Sequence, residues 1–309
     1  MAVYTIEPER RSLHGHFSPD LPPVITIESG DTVIFRTLDS AWRSVCDGEY
    51  VPFSERVEGE KDKGHALCGP VAISGANPGM TLEIQIVDVR PGPKGRTGGG
   101  GGSSNPRSER LGVAGGERHS LVWTLDPDAM RAKNQHGQTI ELRPFLGVMG
   151  MPPPEPGIHP TRPPRIWGGN LDCKELGAGS TLFLPIPVEH GLFSVGDGHG
   201  AQGDGEVSGV ALECPIERAE LTLLLRDDIP LTTPRANAPS GWITFGLHED
   251  LNEASLIALE AMLDLICEQI DIHRKDALAL ASVVVDLRIT QIANGVHGVH
   301  AVLPHGSVF

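Results

Sequence analysis

The segment "VITIESGDTVIFRT" (Val24–Thr37) gives the clearest indication of how this chain folds. Apolar and polar side chains alternate on both sides of a Ser-Gly-Asp turn, and this period of two is the pattern of β-strands. The segment "GPVAISGANPGMTLEIQIVDV" (Gly69–Val89) repeats the plan around Asn-Pro-Gly. We therefore predict that the N-terminal part of the chain consists of β-strands, paired across each turn.

A glycine followed two positions later by threonine recurs in "GDTV" (30–33), "GMTL" (79–82) and "GSTL" (179–182). In each segment the glycine suits the end of a turn, and the threonine favours the start of a strand. We interpret the recurrence as a turn that leads into a strand. A duplicated β module and a chance similarity both remain open.

Two segments lack strand and helix periodicity. Residues 91–116, "PGPKGRTGGGGGSSNPRSERLGVAGG", predict a long, flexible and partly basic loop. Residues 151–170, "MPPPEPGIHPTRPPRIWGGN", are rich in proline and predict an extended surface segment. We predict a domain boundary there, between a β-rich N-terminal domain (1–150) with a Gly-rich loop at about 91–117 and an α+β domain (151–309).

Helical periodicity is convincing only near the C-terminus. Asp250 is a candidate N-cap, and apolar residues follow it at helical spacing: Leu251, Leu256, Leu259, Met262, Leu263, Ile266 and Ile270. A second helix is predicted near Asp276, and "LRITQIA" after it predicts a strand. The predicted fold class is α+β, mainly β, with a sandwich- or barrel-like N-terminal part and a C-terminal α+β part that carries two helices.

The composition of the 309-residue chain excludes several classes of protein. With 40 acidic and 25 basic side chains its formal net charge is −15, which repels nucleic acid and anionic lipid. No apolar run approaches the roughly 20 residues that span a bilayer. The N-terminus lacks a signal-peptide pattern, so we expect a cytoplasmic protein. The five cysteines include no Cys-x-x-Cys pair, which argues against disulfides and a four-cysteine zinc site.

The segment "FSVGDGHGAQGDGEVSGVALE" (Phe193–Glu213) combines glycines with ionisable side chains and suggests a nucleotide loop, a solvated acidic turn or a metal site. A nucleotide loop needs a helix after the glycines, whose N–H groups hold phosphate. Here "EVSGVALEC" (206–214) follows and predicts a strand, which excludes the nucleotide loop.

The metal site rests on the spacing of the acidic residues and the histidine. In an extended segment Asp197 and His199 point to the same face. Asp204 and Glu206 have the same spacing, and flexible glycines could turn them toward the first pair. Imidazole and carboxylate groups are ligands for divalent cations such as zinc. Spacing alone leaves the solvated acidic turn open as the alternative.

Other segments supply further candidates. Asn170 and Asp172 follow a pair of glycines, and His65 directly precedes a predicted strand. The C-terminal histidines, His297, His300 and His305, have glycines and prolines around them and no carboxylate nearby in sequence, so we predict a surface tail there.

Together these segments resemble the acetamidase/formamidase family. "HALCGPVAISGANPGMTLEIQIVDV" (65–89) resembles its His-x-x-x-Gly-Pro strand and the Gly-Ala-x-Pro-Gly-x-Thr-Leu that follows. Residues 168–213 resemble its central signature of Gly-Gly-Asn-x-Asp, Gly-Asp-x-His and Gln-Gly-Asp-Gly-Glu. "WITFGLHEDLNEA" (242–254) and residues 276–304 resemble its C-terminal helices and closing strand. The resemblance begins at about residue 24 and is weakest over 95–116.

The resemblance implies an enzyme that hydrolyses short aliphatic amides, such as formamide and acetamide, to carboxylate and ammonia, with γ-lactams as substrates of related members. It also implies a bound divalent metal, with zinc favoured and Ca²⁺ as the alternative ion, and a homodimer or higher homo-oligomer. Within this interpretation we expect four metal ligands: His65, Asp172, Asp197 and His199.

We also expect three catalytic side chains. Glu206, with Glu213 in reserve, would carry the proton to the leaving nitrogen, and Asn170 would donate a hydrogen bond to the developing oxyanion. The alternative function is a non-catalytic β-rich module that binds Ca²⁺ for structure, since oxygen-rich loops suit that ion. Histidine favours the enzyme, because imidazole suits zinc better than calcium.

Overall fold

The structure is a computed structural model that describes residues 1–57, 59–102 and 106–308. The strands of this part of the chain are β1 (Val3–Ile6), β2 (Leu13–His14), β3 (Ile25–Ile27), β4 (Asp31–Thr37), β5 (Arg43–Cys46), β6 (Glu49–Pro52), β7 (Leu67–Ile73), β8 (Thr81–Pro91), β9 (Lys94–Gly99), β10 (His119–Asp126), β11 (Arg131–Asn134), β12 (Thr139–Glu141), β13 (Phe145–Gly150), β14 (Gly168–Asn170), β15 (Thr181–Pro185), β16 (Phe193–His199), β17 (Ile216–Arg226), β18 (Arg235–Ala238), β19 (Gly241–His248), β20 (Asp286–Gln291) and β21 (His297–Leu303). The helices are α1 (Pro106–Arg110), α2 (Leu251–Ile270), α3 (Arg274–Val284) and a 3-10 turn at Glu60–Asp62.

The largest sheet has nine strands in the order β1-β4-β17-β8-β15-β18-β19-β21-β20. Three of its strands begin where the Gly-x-Thr segments predicted. The glycine before each of them has a positive φ, 93° at Gly30, 91° at Gly79 and 84° at Gly179. Glycine adopts this backbone conformation without strain, so the recurring turn that leads into a strand is confirmed.

A second sheet has six strands, β14-β13-β16-β7-β2 with β3 alongside β7. The prediction that strands pair across each turn is wrong. β3 pairs with β7 in this sheet, whereas β4 lies between β1 and β17 in the first sheet. The Ser-Gly-Asp and Asn-Pro-Gly turns therefore carry the chain from one sheet to the other. Apolar side chains from both sheets meet in one core cluster, which explains why these strands alternate so strongly.

Part of the predicted glycine-rich loop forms regular structure. β9 pairs with β10 in a four-stranded sheet, and α1 follows it, while residues 103–105 lie outside the described residues. The proline-rich segment is exposed at 154–158 but buried at 151–153, and its end forms β14. Both large sheets combine strands from before and after residue 150, and the two-domain division stays a prediction.

The C-terminal helices lie where their periodicity predicted. The Asp250 side chain accepts a hydrogen bond from the backbone N–H of Asn252 and caps α2, and α3 begins with His273 as its cap. Both helices contribute to a second apolar cluster with residues of β21. The predicted surface tail is wrong for His297–Leu303, because this segment is β21, a strand with neighbours on both sides, and His300 is buried.

These elements confirm the α+β, mainly β fold class. Within the described part of the chain, no helix is both long enough and apolar enough to cross a membrane.

Candidate active site

β16 carries the centre of the candidate site. The strand is buried at all seven positions and pairs with β13 on one side and β7 on the other. Asp197 and His199 lie near its C-terminal end, as the two-residue spacing predicted. The ring of Phe145 on β13 packs edge-on against the imidazole of His199, with centroids 4.9 Å apart. The imidazole of His199 therefore lies in the interior and is held in place by the Phe145 ring.

Carboxylates surround the His199 imidazole. Its Nε2 lies 3.4 Å from Asp197 Oδ1 and 3.4 Å from Glu213 Oε1. Its Nδ1 lies 4.0 Å from Asp172 Oδ1. The possible ligand atoms of Asp172, Asp197 and His199 all lie within 4.8 Å of one another. Both ring nitrogens of His199 and Oδ1 of Asp172 are buried without a hydrogen-bond partner. Buried polar atoms without a partner are uncommon in folded proteins, and here three of them lie together among carboxylates, as a bound cation would require.

Gly147 on β13 lies directly beside this group. A β-carbon at this position would lie 2.6 Å from Asp172 Oδ1, 2.6 Å from Asp197 Oδ2 and 2.8 Å from His199 Cε1. Real side chains do not make contacts this short, so only a glycine lets β13 lie this close to the three candidate ligands.

Three of the site carboxylates lie on unusual backbone. The φ angles are 49° at Asp172, 58° at Asp197 and 44° at Glu206, in the left-handed region that disfavours side chains other than Asn and Asp. Asp tolerates this conformation, so the strain, roughly 1–3 kcal/mol, falls mainly on Glu206. Strain of this kind is concentrated at functional sites.

The buried charges shift one another's pKa values in opposite directions. Burial and the neighbouring Glu206 raise the pKa of Asp172 well above its usual value. Burial also raises the pKa of Glu206, to about 7. For Asp197 burial acts in the same direction, but the charges of His199 and His65 outweigh it and lower the pKa. The pKa of His199 is raised well above its usual value, because Glu213 and Asp197 outweigh the effect of burial. Pairs of titratable groups shifted apart in this way are typical of acid–base sites.

Neutral side chains hold two of the carboxylates in place. Asn294 Nδ2 donates to Asp172 Oδ2 at 2.6 Å, and Gln202 Nε2 donates to the backbone oxygen of Asp172 at 2.7 Å. Ser40 Oγ donates to Glu213 Oε2 at 2.8 Å. These bonds fix the directions of the carboxylates while leaving Asp172 Oδ1 free.

Two predicted site residues lie in the same pocket with different neighbours. His65 is half-buried outside the group of three, and its Nδ1 lies 2.9 Å from Thr161 Oγ1. Asn170 is buried, and its Nδ2 donates to the backbone oxygen of Arg162 at 3.1 Å. Its Oδ1 is buried and unpaired, so the atom that Asn170 leaves free is a hydrogen-bond acceptor.

A pocket of about 800 Å³ connects these side chains to the surface. Six of the predicted site residues line it: His65, Asn170, Asp172, Asp197, Glu206 and Glu213. His199 lies behind this wall, in ion-pair range of three of its carboxylates. The predicted residues therefore converge from β16 and from distant segments of the chain on one cavity.

The glycine-rich segment differs from its prediction in two respects. "EVSGVALEC" (206–214) forms turns with isolated bridges rather than a strand. The glycines still lack a following helix, so the nucleotide loop remains excluded. Asp204 does not join the site, because it forms an ion pair with Lys174 at 3.0 Å, while Glu206 lines the pocket. The solvated acidic turn is wrong for Asp197, His199, Glu206 and Glu213, which are buried.

Sequence reasoning missed Gly147, Ser40, Gln202 and Asn294. A signal existed for Gly147, since a glycine inside a buried apolar strand often marks the close approach of another group. Gln202 begins the Gln-Gly-Asp-Gly-Glu signature, which is a signal for it, whereas Ser40 and Asn294 are ordinary polar residues that the fold alone brings to the site.

Comparison with known proteins identifies the family. The sequence model of the Acetamidase/Formamidase family matches residues 4–160 and 157–296. The acetamidase of Mycolicibacterium smegmatis is 26% identical over 256 residues, which cover 63% of this chain and 61% of that protein. The formamidase of Methylophilus methylotrophus is 26% identical over 245 residues, which cover 63% of this chain and 60% of that protein. The chain therefore spans about three fifths of the length of these two curated relatives.

A solved structure shows the same fold. The crystal structure of an acetamidase from Bacillus halodurans superposes with a TM-score of 0.82 at 24% identity and covers 97% of both chains. Together with the family match, the curated relatives support amidase activity for this chain. It belongs to the acetamidase/formamidase family, whose sequence model covers nearly all of its length.

Proposed function

We propose that this protein hydrolyses the C–N bond of short aliphatic amides such as formamide and acetamide, and that a divalent metal, zinc, binds at Asp172, Asp197 and His199. One observation carries the proposal. The possible ligand atoms of these three side chains lie within 4.8 Å of one another, and both ring nitrogens of His199 and Oδ1 of Asp172 are buried there without hydrogen-bond partners. Without a bound cation these buried polar atoms would lack hydrogen-bond partners, which costs about 1–3 kcal/mol for each such group.

The donor set fits zinc better than calcium. One imidazole with carboxylates is a common zinc ligand set, whereas calcium takes six to eight oxygen ligands. When bound, the ion would lower the pKa of a bound water to about 7 and would polarise the amide carbonyl. Its two positive charges also offset the repulsion among the clustered carboxylates.

Glu206 is the proton carrier in this proposal. Its Oε2 is buried, unpaired and on the pocket wall, and the residue lies outside the group of three candidate ligands. The Glu206 carboxylate takes a proton from the attacking water as the new C–O bond forms. It then delivers that proton to the amide nitrogen, so that the C–N bond breaks and ammonia leaves.

Two further side chains orient the reacting groups. Asn170 Oδ1 is a free acceptor on the pocket wall and takes a hydrogen bond from the amide N–H of the substrate. The Glu213 carboxylate is held by Ser40 and by the backbone N–H of Ala211, 3.1 Å away, and keeps the His199 ring in place through Nε2.

The test is an ammonia-release assay on formamide, acetamide and butyramide, with the purified protein, the chelated protein and the protein reloaded with zinc or calcium. We expect activity to disappear on chelation and to return with zinc. Full activity in protein shown by mass spectrometry to lack metal contradicts the metal site. Calcium content with no ammonia from any amide contradicts the enzyme and favours a structural calcium module.

A further inference from the structure

The pocket is much larger than formamide or acetamide require. Its volume is about 800 Å³, in the range of about 300–1,000 Å³ that holds drug-sized ligands. Formamide and acetamide have only a few non-hydrogen atoms and would occupy a small part of it. The outer part of the pocket is therefore available to bind the remainder of a longer amide.

The charge of the pocket wall changes from its inner end to its rim. The inner end carries four buried carboxylates: Asp172, Asp197, Glu206 and Glu213. The exposed side chains of Arg56, Lys63 and Arg162 belong to the same wall. An acidic interior and a basic rim would orient any molecule that is neutral at one end and anionic at the other.

The two rim arginines differ from the rim lysine in their described neighbours. Lys63 Nζ lies 3.2 Å from Glu60 Oε1, so that pair cancels. Within the described residues, Arg56 and Arg162 have no carboxylate at ion-pair distance. This is notable in a chain with a net charge of −15, where acidic side chains are abundant.

Both guanidinium groups are anchored but keep free donors. Arg56 donates through Nε and Nη2 to the backbone oxygen of Asp62, at 3.2 and 2.8 Å, and its Cζ lies 5.2 Å from the Trp42 ring centroid. Arg162 donates through Nη2 to the backbone oxygen of Ala293 at 3.1 Å. A guanidinium has five N–H groups, so each retains donors for a ligand carboxylate, which it binds well.

We propose that the outer pocket binds a carboxylate, so that the substrates are monoamides of short dicarboxylic acids, with succinamate as the representative. This proposal rests on the proposed amidase function. Arg56 and Arg162 attract the carboxylate end, and the acidic interior repels it, so the neutral amide end faces the inner wall formed by Asp172, Asp197 and Glu206. A neutral amide of the same length gains neither effect.

The first test compares kcat/KM for malonamate, succinamate and glutaramate with that for pentanamide, which matches succinamate in size. We expect at least one of the anionic amides to exceed pentanamide by about 10-fold at low ionic strength, since charge-assisted hydrogen bonds exceed neutral contacts. The preference should shrink as salt is raised, because the rim is exposed. Equal or higher kcat/KM for pentanamide, or no salt dependence, overturns the proposal.

The second test uses Arg56→Gln and Arg162→Gln, each checked for native circular dichroism. Each change should lower the ratio of succinamate to pentanamide kcat/KM by about 2- to 5-fold, as expected for exposed charged contacts. Arg274→Gln is the matched control, because Arg274 forms its ion pair with Asp264 outside the pocket, and its ratio should match that of the wild type. An unchanged ratio in both rim variants overturns the proposal.

The two proposals fail differently. Turnover of pentanamide without preference for any anionic amide removes the carboxylate subsite and leaves the amidase. Ammonia from none of these amides removes the amidase itself.

Discussion

His199 and His300 are both fully buried on β-strands, but their surroundings differ. The Nε2 atom of His199 lies 3.4 Å from carboxylate oxygens of both Asp197 and Glu213. Burial lowers the pKa of His199, but these charges outweigh it and raise the pKa well above its usual value. His300 Nδ1 lies 2.7 Å from the hydroxyl of Thr290, and burial lowers its pKa to about 4.

The contrast separates a structural histidine from a candidate functional one. Burial by itself keeps an imidazole neutral and inert, since the charged form loses its hydration. A cluster of carboxylates around a buried imidazole makes sense only if the charges have a use, such as binding a cation. The neighbours that carry charge, and not the burial of the ring, therefore distinguish the two sites.

The most direct test of the difference between His199 and His300 is to remove each imidazole in turn. His199→Ala should lower kcat/KM for acetamide by more than about 100-fold, because loss of a ligand costs more than the 10- to 100-fold typical of its supporting residues. Bound metal should be lost in parallel, as measured by mass spectrometry. His300→Gln, which removes an equally buried ring, should stay within about 3-fold of the wild type. Full ammonia release by His199→Ala would contradict the site.

Gly147→Ala tests whether activity requires the close approach of β13 to the three candidate ligands. The added β-carbon would lie 2.6 Å from both Asp172 Oδ1 and Asp197 Oδ2, so these carboxylates must move. We expect about 10- to 100-fold lower kcat/KM, since a displacement of about 1 Å can cost that much. We also expect about 1–3 kcal/mol less stability to urea, as for other overpacked sites.

Gly99→Ala is the matched control for this change. Gly99 also lies on a strand, and a β-carbon there would meet nothing within 4 Å. Its activity and urea midpoint should match those of the wild type. If Gly147→Ala behaves like Gly99→Ala, the close approach of β13 to the three candidate ligands has no function.

The sequence predicted local features better than contacts across sheets. The two-residue spacing brought Asp197 and His199 to one site, and the N-cap at Asp250 located α2, because both depend on neighbouring residues only. The role of Gly147 depends on the register of β13 against β16, which no local pattern specifies. Asp204 and Glu206 share the spacing of the first pair, yet only the folded position of Lys174 decides that Asp204 turns away from the site.

The pairing of β3 and β4 could not be predicted from the sequence for a related reason. β3 and β4 alternate as a hairpin would, and a turn separates them. Whether they pair or enter different sheets depends on which strand lies beside each one, and those partners are β7 for one and β1 and β17 for the other. Such long-range pairings leave no trace in the alternation itself.

The pH dependence of stability tests whether burial keeps the His300 imidazole neutral. Burial is the main reason for its lowered pKa of about 4, with Arg288 and Lys174 acting in the same direction and Asp204 against them. Well above pH 6.5 the ring is neutral in the folded and unfolded states, so it does not make the free energy of unfolding depend on pH. As pH falls below 6.5, the unfolded chain binds a proton that the folded protein does not, so the free energy of unfolding falls.

Between pH 6.5 and 5 this single group should lower the free energy of unfolding by about 1.6 kcal/mol, because the slope reaches about 1.4 kcal/mol per pH unit only once the unfolded imidazole is fully protonated. Urea titrations of the wild type and His300→Gln at several pH values measure the effect. The difference in stability between the two proteins should shift by that amount over this range, whatever the change itself costs at neutral pH. His14, whose pKa burial also lowers to about 4, is present in both proteins and cancels. A difference that is constant with pH would mean that His300 accepts a proton in the folded protein, and that burial alone does not keep this imidazole neutral.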